Sequence, residues 1–334
     1  MSLPVVAVVG ATGAVGVEFM RCLEERNFKM KELRLLASAR SAGKTMKFAG
    51  KDITVTELTE SSFKGVDIAL FSAGGSISKK FGPIAVQSGC VVVDNSSAFR
   101  MDPTVPLVIP EINPEAVKQH KGIIANPNCS TIIAITPLWP IHKKNRIVRL
   151  IASTYQAASG AGAAAMQELV DSTRAYLDGK AFEPKIIPHP YAFNLFSHTS
   201  KIDPATGYNE EETKMLKETH KIFGDSSIRI SATCVRVPVL RAHSEALNVE
   251  CERPITPDEI RAILKTAPGV KVVENIEKNY FPMPKDASGQ GDILCGRIRT
   301  DSSDPSGKSF CMFVAGDQLL KGAALNAVQI AELL

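Results

Sequence analysis

The first sixteen residues limit the fold more than any other stretch of the chain. Residues 4–9 form an apolar, β-branched run, and Gly10-Ala11-Thr12-Gly13-Ala14-Val15-Gly16 follows at once, leading into a helix expected over 15–26. A strand that turns through glycines into a helix opens a dinucleotide-binding βαβ unit. The glycines permit a tight turn and close backbone approach to a pyrophosphate, which rests on the positive helix N-terminus. Many strand-to-helix turns use glycine only for positive φ, so the place of this G-x-x-G-x-x-G directly after the first strand is what favours the nucleotide reading. After the second expected strand (33–37), a chain preferring NAD carries Asp or Glu for the ribose hydroxyl. Here Ser38-Ala39-Arg40-Ser41 offers a guanidinium and two hydroxyls. That set suits a 2′-phosphate and points to NADP; the competing reading is a solvated Arg40 on a loop.

Further strands are expected at 53–58, 67–72, 91–94, 107–109 and 123–125, separated by helical stretches, which predicts crossover connections and a mostly parallel sheet. The middle of the chain changes character. A helix-like run to His142, interrupted by Pro137 and Pro140, precedes a strand at 147–155 and a helix at 163–178. Residues 182–208 have little periodicity and read as a long excursion, either an interface or a lid. Strands at 228–235, 244–251, 270–273, 293–300 and 309–314 suggest an α+β domain on a more antiparallel sheet. Residues 318–334 have the spacing of an amphipathic helix. At 334 residues the chain is long enough for two cores.

Charge and composition exclude several classes. The net charge of +4 comes from interspersed Lys and Arg with no basic block, which argues against nucleic acid but suits an anionic small substrate. No apolar stretch approaches the roughly 20 residues that span a bilayer. The start, Met1-Ser2-Leu3-Pro4, lacks the charged and small-residue signature of a leader. The seven cysteines (22, 90, 129, 234, 251, 295 and 311) are widely spaced without a C-x-x-C pair. Neither a disulfide framework nor a metal site is expected, and a cytoplasmic location follows as the expectation.

One cysteine stands apart. Asn126-Pro127-Asn128-Cys129-Ser130-Thr131 is a polar turn between an expected strand and an expected helix. Cys129 falls on the first helical turn, where the helix dipole favours a thiolate and unpaired N–H groups face a developing oxyanion. A buried, inert thiol is the common fate of a free cysteine, and that reading fits the other six.

These motifs, with Ser96-Ser97-Ala98-Phe99-Arg100, Gln156-Ala157-Ala158-Ser159-Gly160, Glu212-Thr213-Lys214, Arg236 to His243 and Gly316 to Ala324, resemble the aspartate-semialdehyde dehydrogenase family over the whole chain. The resemblance implies a Rossmann-type α/β domain plus an α+β catalytic and dimerisation domain. It implies reversible, NADP-dependent reduction of β-aspartyl phosphate to aspartate β-semialdehyde and phosphate, feeding lysine (with diaminopimelate), threonine and methionine synthesis. Cys129 matches the nucleophile that carries the thioester, His243 its acid–base partner, and Gln156 the residue that orients the acyl intermediate. Arg100 and Lys214 match the phosphate-binding cations, and Arg236 the arginine that grips the substrate carboxylate. Glu212 matches the carboxylate that meets the substrate ammonium. Glu210 and Glu211 leave the register ambiguous, and the two-residue step to Lys214 selects Glu212.

Gly10, Thr12, Gly13, Ala14, Val15, Arg40, Ser41, Ser159, Gly160 and Gln318 match cofactor contacts. A Gln318 contact would return the C-terminal helix to the first domain, giving a discontinuous cofactor domain (1–127 and 316–334) around a catalytic domain (128–315), in a homodimer. The other histidines, His120, His142, His189, His198 and His220, lack motif context and read as surface or structural. Two alternatives share much of this pattern. N-acetyl-γ-glutamyl-phosphate reductase has the same chemistry but takes an acylated amine, which needs no partner carboxylate. A non-catalytic paralogue would keep the fold for binding or assembly.

Overall fold

The computed structural model describes residues 3–334, so the reading of Met1 and Ser2 lies outside the described residues. The chain forms two compact units, one of residues up to Asn128 with Gly322–Leu334, the other of Cys129–Lys321. The second division falls at Gly322 instead of 316. Residues 317 and 318 are tied into the second unit, Asp317 by an ion pair to Arg241 at 2.7 Å and Gln318 by the N–H of Ala242 at 2.9 Å.

The first unit contains β1 (Val5–Val9), α1 (Ala14–Glu25), β2 (Glu32–Ala37), β3 (Thr45–Phe48), β4 (Lys51–Glu57), β5 (Ile68–Phe71), α2 (Gly75–Gln87), β6 (Val91–Asp94) and β7 (Ile123–Ala125). The sheet order is β3-β4-β2-β1-β5-β6-β7, parallel throughout except for the β3–β4 hairpin. Every residue of β1 and β5 is buried, as a sheet covered on both faces requires. The strand order reverses beside β1, where a doubly wound sheet opens a crevice at the carboxyl ends of its strands.

The strand expected at 107–109 is a single bridge from Leu107 to Ala125. Its backbone is satisfied by Asn113 instead, which accepts from Ile109 N–H and donates to Leu107 O. Helix α2 fills the helical stretch expected between the strands at 67–72 and 91–94, although its Gly82 and Pro83 disfavour helix; burial of Phe81 and Ala85 overrides them. The C-terminal helix is shorter than 318–334. A π-helical turn at Leu320–Ala324 precedes Leu325–Ala331, and Asn326 donates to Val108 O at 3.0 Å and Asn126 Oδ1 at 2.7 Å.

The second unit contains α3 (Cys129–Lys144), β8 (Ile147–Gln156), α4 (Ala163–Leu177), β9 (Phe196–Ser197), α5 (Glu210–Phe223), β10 (Arg229–Arg236), β11 (His243–Cys251), α6 (Pro257–Leu264), β12 (Val270–Val272), β13 (Ile293–Thr300) and β14 (Ser309–Gly316). Its sheet runs β12-β13-β14-β11-β8-β10-β9 and mixes parallel with antiparallel pairs. Helix α3 continues through Pro137 and Pro140 without the expected interruption. Each proline removes one N–H bond, but burial of the run Ser130 to Leu138, with Ile141, outweighs that loss. The excursion also has more order than its composition suggests. Glu168 on α4 accepts the N–H groups of Lys185, Ile186 and Ile187 at 2.6–2.8 Å, and β9 pairs with the edge of β10.

Candidate active site

Three strand ends meet in the second unit. Gln156 closes β8, Arg236 closes β10 directly opposite it, and His243 opens β11 one residue before the Ser244–Tyr155 pair. All three side chains are buried, on the sheet face that α3 and α5 cover.

Gln156 ties the cysteine helix to the acidic helix. Its amide donates to Ser130 Oγ at 2.7 Å, next to Cys129 at the head of α3, and to Glu211 Oε1 at 3.1 Å. Cys129 is half-buried; so is Cys311, against the expectation of a buried thiol there, whereas Cys22, Cys90, Cys234, Cys251 and Cys295 are buried as expected. Burial pushes the Cys22, Cys90 and Cys251 thiols up to about 12, the inert environment expected of them.

Hydrogen bonds distinguish the members of the acidic run, and they set Glu211, not the expected Glu212, beside Gln156. Glu212 is spent on the backbone: it caps α5 through the N–H of Asn209 at 2.9 Å and accepts the N–H of Cys234 at 2.9 Å. Its neighbour Glu211 is the carboxylate in the site, bonded to Gln156 and ion-paired with Lys214 at 3.2 Å. The step to Lys214 is therefore three residues, one helical turn, which puts both groups on one face of α5.

His243 is held by its backbone-facing nitrogen. The N–H of Ala157 donates to Nδ1 at 3.0 Å. A backbone N–H can only donate, so the ring's hydrogen belongs on Nε2. Burial chiefly, with Arg236 beside it, pushes His243 down to about 3 despite Glu211, and the ring is neutral at physiological pH. Ala242 precedes it with φ of 70°, a left-handed conformation costly for a residue with a Cβ. Gln318 secures that turn by accepting from Ala242 N–H at 2.9 Å while its amide donates to Ser159 Oγ. Gly160 lies against the same pair: a Cβ there would stand 2.9 Å from Arg236 Nη1 and 3.1 Å from His243 Nε2.

Arg236 donates to Ala157 O and to His198 Nε2, each at 2.9 Å. His198, which enters from the excursion, carries no sequence signal for this role and by sequence reads as surface or structural. Among the described residues, Gln156 Oε1, Arg236 Nε, His243 Nε2 and both carboxylate oxygens of Glu245 are buried without a hydrogen-bond partner. The first three belong to the converging strand ends, where a ligand would satisfy them.

In the first unit, Gly10 has φ of 85°, and a Cβ there would meet Ser72 O at 2.3 Å. Gly13 caps α1 without a side chain, so no side-chain oxygen occupies that helix terminus. A groove of about 320 Å³ is lined by Gly10, Thr12, Gly13, Ser38, Ser72 and Phe81, among others. Ser72 and Phe81, at the end of β5 and on α2, carry no sequence signal for this role. Ala14 and Val15 open α1; Thr12 Oγ1 donates to Ser41 Oγ at 3.3 Å, and Arg40 is exposed in the turn after β2. Arg100 is buried, donating to Asn126 O at 2.9 Å and Asn95 O at 2.8 Å. Asn126 is itself fixed by Asn95 and Asn326, so the arginine has a rigid base. Among the described residues no acidic, histidine or cysteine cluster could hold a metal, and no helix is long and apolar enough to cross a membrane.

Comparison with known proteins shows the family of the chain. Residues 5–120 match the NAD binding domain of semialdehyde dehydrogenase and residues 138–321 its dimerisation domain. The chain is 56% identical over 329 residues to the aspartate-semialdehyde dehydrogenase of Synechocystis sp., covering 98% of this chain and 96% of that one. A crystal structure of aspartate semialdehyde dehydrogenase II from Vibrio cholerae, complexed with ASA, superposes with a TM-score of 0.96 at 44% identity, covering 100% of this chain and 98% of the other. The Candida albicans enzyme with NADP gives a TM-score of 0.76 at 26% identity, with coverage of 100% and 98%. The chain belongs to the aspartate-semialdehyde dehydrogenase family and is an oxidoreductase of amino-acid biosynthesis.

Proposed function

We propose that the chain catalyses reversible, NADP-dependent conversion of β-aspartyl phosphate to aspartate β-semialdehyde and phosphate through a thioester on Cys129. The product feeds lysine (with diaminopimelate), threonine and methionine synthesis in the cytoplasm. The observation that carries this reading is the set of unpartnered buried atoms on Gln156, Arg236 and His243, beside the helix that Cys129 opens.

Cys129 attacks the acyl phosphate, and the first-turn N–H groups of α3 favour the negative charge that develops there. Arg100 and Lys214 bind the leaving phosphate. Arg236 grips the substrate carboxylate, since a guanidinium fork matches it in geometry and charge. Glu211, in place of Glu212, meets the substrate ammonium, and that free ammonium distinguishes the aspartyl substrate from an acylated one. Gln156 keeps the acyl group oriented through Oε1. With its hydrogen on Nε2, His243 donates to the oxygen of the tetrahedral intermediates. Taking the thiol proton would require Nδ1 to release the N–H of Ala157.

The residues of the first unit fit NADP. The uncapped terminus of α1 suits a pyrophosphate, the groove beside Gly10 its sugars, and Arg40 with Ser41 a 2′-phosphate. By the family's motifs, Ser159, Gly160 and Gln318 are the second unit's cofactor contacts. When bound, the nicotinamide supplies or accepts the hydride. The second unit, with exposed Tyr176, Leu177, Phe193 and Leu195, forms a homodimer.

Phosphate-dependent NADP reduction with aspartate semialdehyde tests the reading directly. Cys129→Ala lowers that rate below about one thousandth of wild type while NADPH fluorescence still reports binding. Undiminished turnover in the variant would refute the thioester.

A further inference from the structure

We propose that His198 is a positioning residue for Arg236: its neutral imidazole takes one hydrogen of the guanidinium and so fixes the plane that the fork presents to the substrate carboxylate. The proposal rests on the reading of Arg236 as the carboxylate-binding arginine.

A guanidinium has five hydrogens and no lone pair to offer. His198 Nε2, 2.9 Å from Arg236 Nη2, must therefore be the bare nitrogen of the ring. Its hydrogen then sits on Nδ1, which faces Ser200 Oγ at 3.0 Å. The backbone N–H of Ser200 also faces Nδ1, at 3.2 Å; of the two competing donors the guanidinium, charged and closer at 2.9 Å, takes the ring's one bare nitrogen. Ser200 Oγ in turn accepts the N–H of Glu211 at 3.2 Å. One chain of donors and acceptors thus runs from the carboxylate-binding cation to the first turn of α5, which carries Glu211.

Two bonds define the guanidinium plane, one to Ala157 O on the sheet side and one to His198 on the excursion side. Three hydrogens remain, on Nε and one on each Nη. A bidentate grip needs two of them at a fixed angle, and one bond alone would leave the plane free to turn. His198 is well placed to supply the second, because its own backbone is anchored: its N–H donates to Cys234 O at 2.9 Å, and β9 immediately before it pairs with β10. Burial pushes the ring down to about 4, Arg236 and Lys214 adding to that effect and Glu211 opposing it. The imidazole therefore stays an acceptor at neutral pH. A protonated ring would place a second cation against Arg236 and lose the bond.

The test is steady-state kinetics on the full-length His198→Ala, His198→Gln and Arg236→Lys variants, varying aspartate semialdehyde, phosphate and NADP separately. His198→Ala is expected to raise the semialdehyde KM roughly tenfold, with kcat changed less than about threefold and the other two KM values unchanged. In His198→Gln the side-chain carbonyl can accept from Nη2, and the semialdehyde KM returns most of the way to wild type. Adding His198→Ala to Arg236→Lys should raise that KM no further, because there is no longer a fork to align. An unchanged semialdehyde KM in His198→Ala, or no recovery in a folded His198→Gln, overturns the proposal. An unchanged semialdehyde KM in Arg236→Lys itself overturns the reading of Arg236 beneath it.

Discussion

Gly160 is matched to the cofactor by its motif, yet the space its missing side chain leaves is taken by Arg236 and His243, so Gly160→Ala tests which role dominates. An added Cβ would stand 2.9 Å from Arg236 Nη1 and 3.1 Å from His243 Nε2 and Cε1. Comfortable contact begins at about 3.5 Å, so both groups must move by roughly half an ångström. Neither moves freely, since Arg236 is bonded to Ala157 and His198, and His243 to Ala157. A displacement of about 1 Å in a reacting geometry can cost about 100-fold. The expected fall in kcat/KM for aspartate semialdehyde is therefore about 10- to 100-fold, a barrier increase of about 1.4–2.7 kcal/mol. Stability should change little, because the smaller unfolded-state entropy of alanine offsets about 0.4–1 kcal/mol of the strain. Phosphate-dependent NADP reduction measures the first quantity and thermal melting the second. A rise in the NADP KM alone would make Gly160 a cofactor contact only. A semialdehyde kcat/KM within twofold of wild type would refute the reasoning.

Glu211→Gln should raise the semialdehyde KM with an unaltered melting point, whereas Glu212→Gln, whose one oxygen can accept only one of the N–H groups of Asn209 and Cys234, should cost about 1 kcal/mol of stability and leave that KM alone; paired kinetics and melts separate the two. Arg40→Ala should raise the NADP KM by about tenfold or more and leave the NAD KM unchanged, which dinucleotide titrations check. Glu245 is buried with neither oxygen hydrogen-bonded among the described residues, and burial, with Glu211 nearby, raises its carboxyl well above 4.5. Above pH 4.5 the unfolded chain ionises this group and the folded chain does not, so wild-type stability falls as pH rises. Glu245→Gln abolishes the titration, and its stability gain over wild type should grow by up to about 1.4 kcal/mol per pH unit above 4.5. Denaturant titrations at pH 4.5, 6 and 7.5 that gave a constant difference would contradict this.

The parts of the fold legible in the sequence are those where local pattern and tertiary demand agree. β1, its glycine turn and α1 announce themselves because the strand is apolar throughout and the turn needs glycine. Helix α2 is legible only as a helical stretch between two strands, its extent blurred by Gly82 and Pro83, and the bridge at Leu107 depends on the side chain of Asn113, far from any periodic signal. The same division holds in the site. Cys129 stands at a recognisable turn, but Glu211 and Glu212 are adjacent identical residues, and only the cap at Asn209 and the N–H of Cys234 show which one is occupied. His198 lies in a segment without periodicity, and its meaning comes from a side-chain bond to Arg236, 38 residues away in sequence, which the pairing of β9 with β10 brings about.

The bonds from Asn326 to Val108 and Asn126 set an order of events during synthesis. The first unit holds residues at both ends of its sequence, with the second unit, 129–321, inserted between them. A ribosome adding about 5–20 residues per second needs roughly 10–40 s to make that insert. Throughout that interval the nascent parallel sheet waits with Asn126 lacking its partner on the last helix, while the contiguous insert can complete its own hydrogen bonds first. The segment made earliest is thus the one finished last, and a deletion of the final ten residues should expose the nucleotide-binding sheet to proteolysis while sparing the catalytic one.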